Sequence, residues 1–161
     1  MLLMIRVVAL LLASMVLAAD EPTIPEPPKP DIPYILLVDH LVPTDAIEAQ
    51  EEPRNKGKKS EETTYWVNGE HATARTPLAS PVFAIKQDSL ALERLQVFSF
   101  EIRNGRREVT FSRKSKIRQY SLTTTKVKDA LFRLEVDQSL PPGEYAITPS
   151  GSNQVFCFSV Y

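Results

Sequence analysis

Two histidines, a single cysteine and a run of cationic side chains are the groups in this sequence best equipped for chemistry. His40 stands beside Asp39 on an apolar stretch, and His71 comes just after an Asn-Gly pair; neither has a partner at metal-ligand spacing. A nucleophilic dyad would require Cys157 to meet His71 across the fold, since nucleophile and base are neighbours in space rather than in sequence. Cys157 lies between Phe156 and Phe158, surroundings that raise a thiol pKa and keep it inert. The carboxylates concentrate between Glu48 and Glu62, where nothing fixes their separation, whereas glycoside hydrolysis depends on a set distance between two of them. Gly-x-Ser-x-Gly, His-Glu-x-x-His and a phosphate-cradling glycine loop are missing, and five glycines leave little material for backbone cradles. No catalytic residue, metal ligand or cofactor is assigned, and the expectation is a protein that is not an enzyme.

Two features carry binding potential instead. Arg103, Arg106, Arg107, Arg113, Lys114, Lys116 and Arg118 cluster in sequence with Glu108 as the acid among them. Such a patch suits lipid head groups, an anionic glycan or an acidic partner; cationic side chains also keep exposed strand edges from pairing with other molecules. Tyr65-Trp66 reads in two ways as well. Aromatics beside a turn stack on sugars or anchor an interface, while a β-sandwich commonly buries one tryptophan.

The elements that must position these groups are preceded by a leader. Met1 to Arg6 carries one positive charge, Val7 to Leu17 is apolar, and Ala18-Ala19 supplies small residues before Asp20, the layout of a secretory signal peptide over 1–19. The apolar run falls short of the ~20 residues that span a bilayer, so cleavage is expected to leave no stable membrane span. The mature chain is then about 140 residues, enough for one domain with its own core. A net charge of −1 argues against a nucleic-acid binder. One cysteine in an exported chain means no disulfide framework, which suits a secreted or periplasmic bacterial protein.

Residues 20–33 read DEPTIPEPPKPDIP, which predicts an extended, disordered spacer. The domain then spans 34–161. Tyr34 to Val42 is expected to form one buried strand, and the charged stretch at about 44–63 a mobile loop in which Asp45 and Glu48 cap a helical turn. Asn68-Gly69 predicts a tight hairpin between Tyr65–Val67 and His71–Arg75, and Ser89 to Arg94 a second short helical turn. From Gln96 to Phe111, Phe98, Phe100 and Ile102 alternate with polar positions before Asn104-Gly105, a type I′ hairpin signal. Further strands are expected at Gln119–Thr125, Leu131–Val136 and Tyr145–Thr148. The last, Val155–Val160, is apolar on both faces and therefore covered on both sides.

The spacing Leu140, Pro142-Gly143, Tyr145 resembles the corner of immunoglobulin-like and fibronectin type III domains, in which a tyrosine bonds back to the backbone. Ala74-Arg75, Arg107-Glu108-Val109, Leu140 to Ala146 and Phe156 to Val160 together resemble a group of uncharacterised secreted bacterial proteins. The chain departs from that group at Ser159 and Tyr161, where glycine and an acidic residue are usual. The resemblance implies export and a β fold. The expected architecture is all-β, an Ig-like antiparallel β-sandwich of about eight strands. The expected function is a non-catalytic binding module for an envelope protein or glycan. A strand-exchanging assembly component and an enzyme of unrecognised type are the alternatives.

Overall fold

A computed structural model describes residues 23–59 and 61–161; the leader at 1–19 and the start of the spacer fall outside them. The described chain is all-β apart from a single 3-10 turn at Leu92–Arg94, within the expected helical stretch. In chain order the first strands are β1 (Tyr34–Leu36), β2 (Leu41–Pro43), β3 (Asp45–Glu48), β4 (Gln50–Arg54), β5 (Glu62–Asn68), β6 (Arg75–Thr76) and β7 (Val82–Lys86). After the 3-10 turn come β8 (Leu95–Ser99), β9 (Glu101–Arg103), β10 (Arg106–Ser112) and β11 (Gln119–Tyr120). The last are β12 (Leu122–Lys128), β13 (Leu131–Val136), β14 (Gly143–Pro149) and β15 (Gln154–Val160).

They form three sheets whose pairings are antiparallel except for β6, which runs parallel to β15. The five-stranded sheet has the order β12-β13-β7-β1-β2, the four-stranded sheet β4-β5-β10-β9, and the six-stranded sheet β11-β8-β14-β15-β3 with β6 beside β15. The six-stranded sheet is apolar on both faces and is covered on both. Phe156, Phe158 and Val160 pack with Phe83, Ile85 and Leu134 of the five-stranded sheet. Val155 and Cys157 point the other way, into a second cluster with Val67 and Phe100.

Two bent strands join the four- and six-stranded sheets. β3 passes into β4 at Ala49, and β8 passes into β9 at Phe100; strands that switch sheets through a bend make the corners of such packings. Hydrogen bonding runs from β9 through β10 and β5 to β4, and the chain itself crosses at Ala49 into β3. Hydrogen bonding continues through β15 and β14 to β8, and the chain crosses at Phe100 back to β9. The result is a closed, barrel-like circuit with the second cluster inside it. β3, β4 and β9 each pair along one side, so among the described residues they keep one edge unpaired.

Several expectations change for one reason: tertiary neighbours override local composition. The stretch expected as one strand from Tyr34 to Val42 is a hairpin of β1 and β2, closed where Leu37 N–H donates to the His40 carbonyl at 3.0 Å. The charged stretch at 44–63 is mostly strand, because β15 and β5 offer their edges to β3 and β4; the connection shrinks to Asn55–Glu61, and Asp45 and Glu48 lie in β3 rather than in a helical turn. Asn68-Gly69 ends β5 but closes no hairpin, since β4 and β10 occupy both edges of β5. Phe100 does not continue one flat strand, and Ile102 is exposed on the far side of the bend.

The proline-rich segment is also tied down where it is described. Pro27 and Pro33 are buried, and Asp31 N–H donates to the Lys86 carbonyl at 2.8 Å. The Asp31 carboxylate accepts from the backbone N–H groups of Asp88, Ser89 and Leu90 and from the Ser89 hydroxyl. Burial pushes its pKa up, but these donors outweigh burial and hold it below the ordinary value.

Because the folded-state pKa of Asp31 lies below its unfolded value, its contribution to stability is present above the unfolded pKa and is lost as pH falls through the folded one. Asp31 has φ of 57°, which asparagine also tolerates. Urea midpoints measured from neutral pH downward should therefore separate Asp31→Asn from the natural chain most at neutral pH and bring the two closer in acid. At the β9–β10 turn, Asn104 and Gly105 have φ of 52° and 73°, as a type I′ turn requires, and the space beside Gly105 is open. Gly105→Val should thus lower stability through backbone strain alone, by about 1 kcal/mol or more. An unchanged denaturant midpoint would contradict the turn assignment.

Candidate functional site

The interior of the circuit changes character along its length, and the alternation of side chains on β10, β14 and β15 sets the order. On β14 the inward residues are Glu144, Ala146 and Thr148; Glu144 faces Ser159 and Ala146 faces Cys157 on β15. On β10 they are Arg107, Val109 and Phe111, opposite Val67, Tyr65 and Thr63 of β5. One end is thus charged, the middle apolar and the other end aromatic.

At the charged end Arg107 is 2% exposed and Glu144 5%. The Arg107 Nε and Nη2 groups donate to the carbonyls of Gly69 and Asn68, both at 3.1 Å. Among the described residues its Nη1 has no hydrogen-bond partner; it lies 3.8 Å from Glu144 Oε2, so charge alone links the pair at that atom. The Glu144 carboxylate accepts from the Ser159 hydroxyl at 2.6 Å and from Ala72 N–H at 2.9 Å, and His71 Nδ1 lies 3.0 Å from Oε1. His71 does meet a carboxylate here, and a serine hydroxyl is close by. The order is not that of a hydrolytic triad, where the imidazole sits between hydroxyl and acid to take the proton. In this protein the carboxylate is central and Ser159 is buried, so the serine donates to the acid, and among the described residues no base addresses its oxygen.

Cys157 occupies the apolar middle with no exposed surface. Burial pushes its thiol up to about 12, against the opposing pull of the Arg107 charge. His40 lies on the surface, 2.5 Å from Asp39. Among the described residues no group of three or more metal-ligating side chains gathers.

At the aromatic end the sheets part, leaving a hollow of about 410 Å³. Tyr65, Phe98 and Phe111 form its walls, with Phe111 set edge-on to both neighbours at centroid distances of 5.7 and 5.6 Å. All three rings are only half-buried. Burial pushes the Tyr65 phenol above its ordinary pKa, and Glu51 adds to that shift.

The basic patch expected around the β9–β10 hairpin is dispersed. Arg107 is internal, while Arg103 pairs with Glu101 and Glu108, and Arg106 pairs with Glu108 and Glu52. Arg106 also lies 4.8 Å above the Trp66 ring, which places the tryptophan on the outer face of the four-stranded sheet rather than in the core. Arg113, Lys114, Lys116 and Arg118 remain exposed. A second hollow, of about 630 Å³, lies against this outer face, where Arg54, Arg103, Lys116 and Arg118 are largely offset by Glu62, Glu101 and Glu108.

Sequence places Arg107 in the cationic surface and does not single out Glu144, although a signal for their inward pairing exists. Arg107 shares the two-residue period of Val109 and Phe111, which puts it on the apolar face, and Glu144 shares that of Ala146. The Tyr145 hydroxyl donates to the Pro141 carbonyl at 2.5 Å, and burial pushes the phenol up to about 12. No protein-family model matches the chain, and neither a curated protein nor a solved structure shows a significant match to it.

A thiol so placed should behave as apolar filling. A thiol reagent is expected to label the native protein slowly and the denatured protein fast, and Cys157→Trp to overpack the cluster by ~1–3 kcal/mol. Fast labelling of the native protein would show instead that β15 presents a reactive cysteine.

Proposed function

We propose that this protein is an exported, non-catalytic binding module that binds through the aromatic mouth of its strand circuit. The observation that carries the reading is the hollow between Tyr65, Phe98 and Phe111, within the size range of small-ligand sites and lined mainly by apolar surface. Half-buried aromatic rings facing such a space are costly to leave wet, and an occupant removes that cost. The charged end supplies rigidity rather than turnover, because its carboxylate is committed to Ser159, Ala72 and His71. Export rests on the charged lead, apolar run and small-residue boundary over 1–19 and on the resemblance to secreted bacterial proteins. An immunoglobulin-like β-sandwich is supported by the Tyr145 corner and by the packing of the five- and six-stranded sheets on a common core. The assembly reading draws less support, since β1 is paired on both sides and offers no free donor strand.

Native mass spectrometry of protein released from the envelope fraction tests this reading. The natural chain should begin at Ala19 or Asp20 and carry a bound small molecule that Phe111→Ser loses. An intact Met1 would overturn cleavage. An empty natural chain, or an adduct indifferent to Phe111→Ser, would overturn the mouth as the binding site.

A further inference from the structure

We propose that the mouth takes a neutral amphipathic molecule, its apolar part seated among Tyr65, Phe98 and Phe111 and an uncharged alcohol, ester or amide head held at the rim. The proposal rests on the mouth being the binding site and adds the chemical class of the occupant.

Charged residues make up 24% of the chain, yet none of the residues lining this hollow is Asp, Glu, Lys, Arg or His. A carboxylate or ammonium entering it would lose hydration and meet no charged side chain in the lining. The nearest charges, Glu51 beside Tyr65 and Arg94 bonded to the Ser150 carbonyl, stand behind the walls and are of opposite sign, which disfavours ions of either sign. The rim nevertheless offers polarity of another kind. Thr148 is committed to the Gln154 carbonyl at 2.7 Å, but the side-chain amides of Gln96 and Asn153 and the Tyr65 hydroxyl make no hydrogen bond among the described residues. Those groups donate and accept without charge, so they suit an alcohol, ester or amide. The shape of the walls selects against a sugar ring. Phe111 meets Tyr65 and Phe98 edge to face, which makes a slot rather than the flat platform on which sugars stack. Deeper in, Val109, Val155 and Ala146 continue the apolar lining towards Cys157.

The test uses the purified protein and the neutral apolar fluorophore N-phenylnaphthylamine. Decanol, decanoate and decyltrimethylammonium, which share one apolar chain, serve as competitors below their micellar concentrations. The probe should brighten on the natural chain, and Phe111→Ser and Phe98→Ser should each weaken it by roughly tenfold, equivalent to about 1.4 kcal/mol. Thermal melts confirm that each variant is folded, and two separate variants keep the test alive if one is not. Decanol should displace the probe at a concentration roughly tenfold below that of either ion. Gln96→Glu, at a half-exposed rim position, should bring decyltrimethylammonium to within a few-fold of decanol and leave decanoate the weakest. Equal displacement by all three competitors on a probe still sensitive to Phe111→Ser would overturn the ligand class and leave the mouth as the site. Probe binding indifferent to both folded variants would overturn the mouth itself, and with it the reading on which this proposal rests.

Discussion

A guanidinium sealed inside a β structure is tolerable only if its charge and its donors are answered, and the buried Arg107 organises much of this fold around that requirement. Its partner Glu144 comes from β14, its carbonyl acceptors come from the end of β5 and the residue after it, and Glu144 in turn holds Ser159 of β15 and the Ala72 amide. Four separate pieces of chain are therefore fixed relative to one another at one end of the circuit. Removing one member of a buried pair usually costs about 3–5 kcal/mol, because the survivor is left uncompensated. The exposed ion pairs on the outer face of the four-stranded sheet are worth far less each, since water screens them.

With the charged end fixed, the geometry of the rest depends on where the strands bend. Ala49 and Phe100 are the two points at which the chain leaves the six-stranded sheet for the four-stranded one. Both are buried, and both carry a backbone hydrogen bond that holds the bend: Ala49 N–H donates to the Asn153 carbonyl and Phe100 N–H to the Glu144 carbonyl, each at 2.8 Å. Glu144 thus serves the corner with its backbone and the charge pair with its side chain. The mouth lies beyond the charge pair, and Ala49, Phe100 and Asn153 of these corners form part of its lining.

Local pattern was a good guide where one face of a strand decides its fate, and a poor one where a neighbour does. The β9–β10 turn, the alternation of β13 and the two apolar faces of β15 were all legible, because period two and the Asn-Gly pair act within a few residues. β3 and β4 were not. Their charged side chains carry no strand signal, and the edges that recruit them belong to β15 and β5, far away in sequence in the case of β15. Asp31 was hidden by its prolines: the segment looks unable to pack, yet one carboxylate collecting four hydrogen bonds anchors it. As for the candidate site, Tyr65 was singled out but Phe98 and Phe111 were read only as strand residues. Their meeting at a mouth depends on the bend at Phe100, which no residue spacing announces.

The pairing of β15 with β3 has a kinetic side. Phe156 lies beside Ala46 and Cys157 beside Asp45, so the strands that close the ring are among the most widely separated in the chain. Loop-closure entropy must be met before such contacts repay it, which places ring closure late on any folding route and slows it relative to the local hairpins. Until then β3 and β15 each present an unpaired edge, and Ala46 and Ile47 lack their neighbours on β15. The vulnerable interval for this molecule is thus the one in which its hairpins exist and its ring does not, when intermolecular strand pairing competes with closure.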